Sequence, residues 1–501
     1  MSEILPDKYK TLIILLLLTT AALVVHGYHP YAEDAEIYLP GVEKILHPGL
    51  FPVGQEFFAS HASLTIFPNL VASSLRVTRL PMETGIFLWH VASIFLLLLA
   101  CWQLSGLCFS STRARWGGVC LVAALLTIPV AGTALYILDQ YLNPRNLAAF
   151  AAIFAVARTL EKKYVFAVLW LAFAASVHPL MAAFACSFCF LLVIVEKFDK
   201  KAAASALPVL AGLCCLLPFG ISLDPPTSPA YHAAALRHQF HYIQLWQWYE
   251  QLGILAPVAL FWWFGRIARA RQWRRLDLLC RSLIIYDLIY FVAALVVDLP
   301  ARFESLARLQ PLRSLHLLYM LMFLIMGGFL AEFVLKNRIW RWLVLFVPLG
   351  AGMFIAQRAL FPASSHIEWP GVTPKNPWEQ AFLWVRDNTP VNAVFALDPD
   401  FMQLPGEDTT GFRCLAQRSR LADLSKDSGA VSMFPPLAEV WWAQVQAQSP
   451  WMKLRLGGLL RLKEKYGVSW VVLQQPSLPF PLPSVSASGA SSIRTWKPSR
   501  R

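Results

Sequence analysis

The chain has 501 residues, of which 57% are hydrophobic and only 15% are charged, against about a quarter in a typical soluble domain. The apolar residues come in long blocks, which excludes an ordinary soluble enzyme and predicts a polytopic α-helical membrane protein. The net charge of +13 could suggest a nucleic-acid-binding protein, but the cations lie in short loops between the apolar blocks. We therefore expect no nucleic acid as a partner.

About eleven apolar segments follow one another along the chain, and each predicts a transmembrane helix. Their cores span residues 11–25, 84–107, 117–136, 147–157, 164–177, 180–195, 203–221, 252–264, 283–297, 315–335 and 343–356. Several cores are shorter than the roughly 20 residues that a full span needs, so the fifth and sixth could form one bent hairpin around His178 and Pro179. No small-x-small cleavage site follows the first segment, which we expect to remain as an anchor.

Lys and Arg residues concentrate in every second loop between these segments. The loops at 8–10, 113–115, 158–163, 197–201, 266–281 and 336–341 together hold 19 of them. Because cationic loops stay in the cytoplasm, this distribution predicts a multi-pass protein of the cell membrane with a cytoplasmic N-terminus. The intervening loops and the region from about Phe361 onward are then extracytoplasmic.

The chain divides into a transmembrane domain, an exported domain and a tail. Within the transmembrane domain, 1–358, the first external loop at 27–82 is moderately apolar from 56 to 80, which predicts helices on the membrane surface. Residues 359–475 predict a small extracytoplasmic α/β domain. Its predicted helices are 377–387, 436–446 and 451–466, and its strands are 393–397 and 468–473. The Ser- and Pro-rich tail, 476–501, is predicted to be disordered.

Three carboxylates crowd into the stretch HPYAEDAEIYLP, just past the first segment. Neighbouring carboxylates raise each other's pKa unless cations compensate, and a raised pKa suits a general base. Asp34 is the candidate base and Glu33 its support, whereas Glu36 is the one expected to face solvent. A solvated acidic loop without a site is the alternative.

The stretch LDQYLNPRN predicts a helix that begins at Asn143-Pro144, with a capping side chain followed by proline. Arg145 then lies in the first turn at the membrane surface, where a phosphate would meet both its guanidinium and free backbone N–H groups. Asp139 could be a second carboxylate of the site. Plain capping with a snorkelling arginine is the alternative.

Two further stretches place cations or imidazoles on the external side. His178, in SVHPL, lies at a hairpin tip, although a lone histidine is usually structural. In RLQPLRSLHL, Arg313 and His316 lie three positions apart at the start of the tenth segment. An arginine at the apolar boundary needs an anion, which could be a lipid phosphate or a carboxylate such as Asp298 or Glu304.

Two clusters have both a structural and a functional interpretation. The aromatic residues Phe240, Tyr242, Trp246, Trp248 and Tyr249 could form an interfacial belt or a surface for a lipid carrier. In the exported domain, a polar cluster could bind sugar or be a solvated loop. Its members are Arg413, Arg418, Asp423, Lys426 and Asp427.

Motifs typical of soluble enzymes are absent from the sequence. There is no phosphate-cradling glycine loop, no GxSxG and no HExxH. A nucleotide-driven reaction is therefore not expected, and the substrate should arrive already activated. No cofactor is predicted with certainty, and a divalent metal remains open.

Several of these stretches resemble the GT-C superfamily of integral membrane glycosyltransferases. The matching motifs are EDAEIYLP, YLNPRNLA, SVHPL, LQPLRSLHL, WVRDNTP, RSRLADLSKD and YGVSWVVL. They look like uncharacterised bacterial members of that superfamily, and the layout is distantly similar to protein O-mannosyltransferases and aminoarabinose transferases. The resemblance implies a GT-C-like fold in a bacterial inner membrane and a role in the cell envelope.

The resemblance also implies roles for the candidate residues. A sugar would pass on the external face from a polyprenyl-phosphate-linked donor to an unknown glycan, lipid or protein acceptor. Asp34 would deprotonate the acceptor hydroxyl, while Arg145 and Arg313 would hold the lipid phosphate, so these three should line one external cavity. His178 could assist at the phosphate, and Glu33 or Asp139 could orient the acceptor or a metal. A transporter of lipid-linked saccharides and a non-catalytic GT-C-like envelope protein are the alternatives.

Overall fold

The computed structural model of the chain describes residues 7–197, 228–298, 306–474, 484–486 and 491–495. The predicted seventh segment, 203–221, lies outside these ranges, as does Glu304. The helices of the membrane part are α1 Asp7–His26, α2 Ala35–Leu46, α3 Glu56–Ala62, α4 Phe67–Thr78, α5 Met82–Cys108, α6 Thr112–Ala124, α7 Pro144–Leu160, α8 Tyr164–Val177, α9 Pro179–Lys197, α10 Pro229–Leu236, α11 Trp248–Ala270, α12 Arg274–Asp298, α13 Leu315–Phe329 and α14 Ile339–Leu360.

Seven helices in the described part of the chain are long and apolar enough to cross a membrane. They are α1, α5, α9, α11, α12, α13 with the turns that flank it, and α14. A polytopic helical membrane protein is therefore confirmed at this level, although α6, α7 and α8 are shorter than these seven. Helix α14 exposes most of its apolar side chains. Such a surface suits contact with lipid.

The predicted third segment, 117–136, is wrong in its second half. Helix α6 ends at Ala124, and the chain then folds into a loop in which Pro129 and Tyr136 form an antiparallel bridge. The apolar residues of this loop, among them Leu126 and Leu135, are buried against other helices. Hydropathy alone cannot separate burial in protein from burial in lipid, and here protein burial accounts for the pattern.

Helix α7 lies in the middle of the bundle. It contacts α5, α8 and α9, and nearly every one of its side chains is buried. Its small residues, mostly alanine, let these neighbours approach closely. The helix therefore provides a rigid support for whatever its first turn holds.

Loops that the charge pattern assigns to the cytoplasm are neighbours in the structure. Arg113 pairs with Glu332 at 3.2 Å, and Lys162 pairs with Glu196 at 2.8 Å. These contacts join the cationic ends of separate helices at one end of the bundle. The site described below is built from loops at the other end.

The C-terminal region contains further helices and one sheet. The helices are α15 Pro377–Asn388, α16 Arg413–Ala416, α17 Asp427–Met433, α18 Ala438–Gln448 and α19 Leu456–Tyr466, and the strands are β1 Val394–Ala396, β2 Ser419–Arg420, β3 Trp470–Gln474, β4 Ser484–Ser486 and β5 Ser491–Thr495. The strand order is β2-β1-β3-β5-β4. Strand β1 is parallel to β2 and β3, with Phe395 opposite both Arg420 and Trp470, whereas β5 runs antiparallel to β3 and β4.

Two strands occupy part of the tail that was predicted to be disordered. Strand β5 pairs along the whole of β3, and β4 pairs with β5. Backbone hydrogen bonds to an open sheet edge need no apolar side-chain pattern, so the composition of the tail could not indicate them. Helix α17 and strand β2 also were not predicted.

The C-terminal region is attached directly to the turn between α1 and α2. Tyr28 bridges to Ile367, Ala32 bridges to Thr410, and the backbone N–H of Glu33 donates to the carbonyl of Thr409 at 2.9 Å. These bonds hold residues from both ends of the sequence beside the candidate carboxylates.

Candidate active site

A cavity of about 680 Å³ lies between the loops of the helix bundle and the C-terminal region. Its wall combines the turn before α2, the loop before α7, the segment after α10, the turn before α13 and the stretch around α17. The acidic residues that line it are Glu33, Asp34, Asp139 and Asp400, and the basic ones are Arg145, Arg237, Arg313 and Lys426. The cavity therefore holds equal numbers of acidic and basic side chains.

Five of the seven predicted site residues line this cavity, namely Glu33, Asp34, Asp139, Arg145 and Arg313. They come from three separate parts of the chain, as a shared site requires. Convergence shows that these side chains could act on one bound molecule.

Asp34 lies at the centre of the charged cluster. One of its oxygens, Oδ1, accepts a hydrogen bond from Lys426 Nζ at 2.9 Å, and the other, Oδ2, lies 3.6 Å from Arg145 Nη2. Glu33 Oε2 accepts from the same ammonium group. About a quarter of the Asp34 side chain is exposed, so a ligand in the cavity can reach it.

The backbone at this turn explains how two adjacent carboxylates reach one ammonium group. Glu33 has a φ of +52°, the left-handed region that non-glycine residues seldom adopt. The bond from Glu33 to Thr409 holds this conformation, and the N–H of Asp34 donates to the hydroxyl of Tyr141 at 3.3 Å. A strained backbone conformation persists only where surrounding contacts hold it in place, and such conformations are common at functional sites.

Helix α7 begins as the sequence predicts. Asn143 Oδ1 accepts from the N–H of Arg145 at 2.9 Å, with Pro144 in the first turn. The Arg145 guanidinium is 4% exposed and donates to Asp139 Oδ2 at 2.7 Å. Asp139 therefore holds Arg145 in place, while the Nε of Arg145 has no hydrogen-bond partner in the described part of the chain.

Arg313 differs from the other cations of the cavity. It lies in the 3-10 turn Pro311–Ser314 before α13, and its guanidinium carbon is 5.2 Å from the centre of the Phe240 ring. Within the described residues no carboxylate forms an ion pair with it, and its Nε lacks a hydrogen-bond partner. Its predicted carboxylate partner Glu304 lies outside the described residues, and the side chain of Asp298 is not described either.

The two predicted histidines do not line the cavity. His178 Nδ1 accepts from the N–H of Met181 at 3.4 Å in the first turn of α9, and His316 Nε2 bonds the carbonyl of Ile137 at 3.1 Å. Neither of these partners, Met181 and Ile137, lines the cavity. These contacts fit a structural role for His178 and His316.

The prediction that Glu36 faces solvent is wrong. Glu36 is fully buried, and its Oε1 accepts from Arg420 Nη2 at 2.8 Å and lies 3.6 Å from Arg413 Nη1. Its other oxygen accepts from the N–H of Cys414 at 3.2 Å. Two positions along a helix rotate a side chain by roughly half a turn, so Glu36 points away from Asp34 and toward the C-terminal region, where cations compensate its burial.

The predicted polar cluster of the C-terminal region is not a solvated loop, because four of its five members are buried and Lys426 lines the cavity. Arg413 and Asp427 form a two-bond ion pair at 2.8 and 2.9 Å, and Asp423 accepts from Arg420. Arg418 points elsewhere and donates to the carbonyls of Arg386 and Thr389. We call Glu36, Arg413, Arg420, Asp423 and Asp427 the buried charge network.

The charges decide the protonation states in the cavity. Burial would raise the pKa of Asp34, but the positive charges of Lys426 and Arg145 outweigh it and hold that pKa well below its usual range. Cations therefore compensate the crowded carboxylates, and Asp34 does not have the raised pKa that crowding alone would give it. For Asp139, burial outweighs Arg145 and raises the pKa, and burial lowers the pKa values of His61 and His238 to about 4.

The aromatic cluster divides into two groups. Phe240 lines the cavity opposite Arg313, and Tyr242 and Trp246 are buried. Trp248 and Tyr249 are exposed at the start of α11. The exposed pair fits an interfacial belt, whereas Phe240 belongs to the site.

Among the described residues there is no ready-made cluster of metal ligands. In the part of the chain that the structure describes, no group of three or more His, Cys, Asp or Glu could hold a metal ion. The ammonium of Lys426 already bridges the carboxylates of Glu33 and Asp34.

The contact of Lys426 with the candidate carboxylates is the main feature of the cavity that the sequence did not indicate. Lys426 appeared only within a polar cluster, and the carboxylate that it contacts lies 392 positions earlier in the chain. Tyr38, Tyr141 and His61 also line the cavity. Single aromatic or imidazole side chains in an apolar sequence give no local signal of such a role.

Comparison with known proteins identifies no family for this chain. No protein-family model and no curated protein matches the sequence. Among solved structures, it is similar to the archaeal oligosaccharyltransferase AglB from Archaeoglobus fulgidus, in complex with an inhibitory peptide and a dolichol-phosphate. The identity is 13% and the TM-score 0.48, over 93% of this chain and 70% of that one. At these values the likeness assigns no activity, and a functional assignment has to rest on the site itself.

Proposed function

We propose that the protein is a GT-C type membrane glycosyltransferase that moves a sugar from a polyprenyl-phosphate-linked donor to an acceptor hydroxyl. The observation that carries the proposal is the cavity in which Asp34, Arg145 and Arg313 meet, at the end of an apolar helix bundle. Two arginines can bind the phosphate of a phosphate-linked sugar, while the carboxylate beside them accepts a proton from the attacking nucleophile.

The phosphate of the donor binds between Arg313 and Arg145. Arg313 lacks a carboxylate partner among the described residues, and Arg145 retains an unpartnered Nε although Asp139 fixes its other end. A buried guanidinium with free donors is costly unless an anion supplies the missing bonds. The lipid chain leaves the cavity toward the apolar helices, and membrane lipids surround them.

The reaction forms one bond and breaks another at the anomeric carbon. The acceptor oxygen bonds to that carbon as the bond from the carbon to the phosphate oxygen breaks, and the electron pair leaves with the phosphate. The acceptor proton passes to Asp34. The lipid phosphate gains negative charge as it departs, and Arg145 and Arg313 stabilise that charge.

Binding of the donor also adjusts Asp34. The donor brings a negative charge beside Arg145, which then compensates Asp34 less completely and allows its pKa to rise. A base that is weak in the free enzyme becomes stronger when the substrate is bound. Glu33 shares Lys426 with Asp34 and orients it.

The location follows from the charge distribution of the loops. The predicted cytoplasmic N-terminus places the cavity and the C-terminal region on the extracytoplasmic face of the cell membrane. The acceptor would be a glycan, a lipid or a protein segment.

Arg313→Gln is expected to weaken binding of undecaprenyl phosphate by about tenfold to a hundredfold, the value of one or two charge-assisted hydrogen bonds. The measurement is binding of that lipid to the purified protein in detergent, which requires neither the sugar nor the acceptor. Arg313→Lys should recover part of the affinity. Arg76→Gln is the matched control, because Arg76 donates to the carbonyl of Ile45 outside the cavity. Equal affinity in wild type and Arg313→Gln would remove Arg313 from the phosphate site.

One observation favours transport of a lipid-linked saccharide as a second candidate. Asp287 is buried midway along α12, and its Oδ2 has no hydrogen-bond partner among the residues described. Transporters place functional charges within their spans, whereas the other candidate charges here lie at one end of the bundle.

Asp287→Asn separates the two functions. If the protein is a transferase, this variant should transfer sugar within about twofold of wild type, because Asp287 is outside the residues that line the cavity. Proteoliposomes that contain wild type or the variant also measure transport, as the accessibility of a labelled lipid-linked saccharide on each face of the membrane. Translocation by wild type that is lost in Asp287→Asn would favour the transporter instead.

A further inference from the structure

A single ammonium group lies between the two carboxylates of the site. Lys426 Nζ donates to Asp34 Oδ1 at 2.9 Å and to Glu33 Oε2. The Lys426 side chain is only 15% exposed. Two carboxylate oxygens that converge on one point within a partly buried cavity form the kind of position that a divalent cation takes in a protein.

The structure holds Lys426 there through the buried charge network. The N–H groups of Lys426 and Asp427 donate to Asp423 Oδ1 at 2.6 and 2.9 Å, and Asp423 is tied to Arg420. Arg420 in turn bonds Glu36 on α2, only two positions after Asp34. The backbone that carries the ammonium group and the backbone that carries the carboxylates are therefore fixed to each other.

Electrostatics opposes a metal ion at a position that an ammonium already fills. Two cations about 3 Å apart repel each other strongly at the low effective dielectric of a partly buried site. A metal would have to displace Lys426, which pairs with both Glu33 and Asp34. The lysine and the metal thus exclude each other.

We propose that Lys426 permanently takes the position of a divalent cation between Glu33 and Asp34, so that the site orients its base without a metal. Lys426 is then a positioning residue, supplied by the C-terminal region to a carboxylate pair of the membrane domain. The part of the proposal in which Asp34 is the base rests on the proposed function. The part in which lysine replaces a metal does not.

The test measures Mn²⁺ binding to the purified full-length protein by the loss of the free Mn²⁺ signal in electron paramagnetic resonance. Wild type should show no site that depends on Asp34. Lys426→Met removes the ammonium but keeps the apolar stem, and it should bind Mn²⁺ at least about tenfold more tightly than wild type. The double variant Lys426→Met with Asp34→Asn should lose that gain, because a ligand of the new site is gone.

Two controls separate this effect from a change in folding. Lys44→Met removes another lysine of the external side, one that donates to the carbonyl of Leu50, and should leave Mn²⁺ binding unchanged. Lys426→Arg keeps the positive charge and should bind no more Mn²⁺ than wild type. If Lys426→Met cannot be purified folded, Lys426→Gln takes its place.

Two outcomes would overturn the proposal. One is an Mn²⁺ site in wild type that Asp34→Asn abolishes, since metal and lysine would then coexist. The other is a Lys426→Met protein that is folded and binds Mn²⁺ no better than wild type, since the ammonium would not be occupying a metal position. Neither readout requires sugar transfer, so a failure of the proposed activity leaves this test intact.

Discussion

Asp34→Asn is expected to lower sugar transfer by about a hundredfold to ten-thousandfold, the range that a general base contributes. The substitution preserves the shape of the side chain but removes the proton acceptor and the negative charge that pairs with Lys426. The measurement is single-turnover transfer from a labelled undecaprenyl-phosphate sugar by the purified protein. Binding of undecaprenyl phosphate should change much less than the rate.

Asp387→Asn is the matched control, because Asp387 is an exposed carboxylate on α15 that pairs with its neighbour Arg386 outside the cavity. It should transfer sugar at the wild-type rate. Equal turnover by Asp34→Asn and wild type would rule out Asp34 as the base. If wild type and Asp34→Asn were both inactive with every donor tried, the result would instead favour a non-catalytic envelope protein.

The pH dependence of the reaction gives a second measure of the same group. Lys426 and Arg145 outweigh the effect of burial and hold the pKa of Asp34 below its usual range, so Asp34 stays ionised as the pH falls. The value of kcat/KM, which reports the free enzyme, should therefore not decline on the acid side until below about pH 4. A decline centred near pH 6 would mean that the base is a different group.

Arg420→Met is expected to destabilise the protein by about 3–5 kcal/mol, as does removal of one partner from other buried ion pairs. The buried charge network has three carboxylates and only two arginines, and Arg420 contacts all three of the carboxylates. Its loss would leave three negative groups with one arginine. Thermal unfolding of the purified protein in detergent measures the effect as a fall in Tm.

Glu36→Gln should be the milder change in the same network. Burial raises the pKa of Glu36 more than Arg420 and Arg413 lower it, so removing this charge costs less than removing a cation. Arg386→Met is the surface control, since exposed ion pairs contribute about 1 kcal/mol or less. A Tm for Glu36→Gln as low as that of Arg420→Met would contradict the charge count.

Local patterns were enough to predict several parts of the site. The start of α7 at Asn143-Pro144 and the position of Arg145 in its first turn follow from capping chemistry within four residues. Asp34 and Glu33 were candidates because crowded charge beside an apolar helix is costly. By contrast, the loop after α6 could not be told from a span, because protein and lipid bury apolar side chains equally well.

The sequence by itself determined that this is a helical membrane protein, since apolar blocks and the charges between them act locally along the chain. It also indicated five of the charged residues that line the cavity. Only the tertiary structure decided that Glu36 turns into a buried charge network while Glu33 and Asp34 face the cavity. It alone brought Lys426 to them, because the partner of a buried charge is set by packing between distant segments and leaves no mark in the pattern of nearby residues.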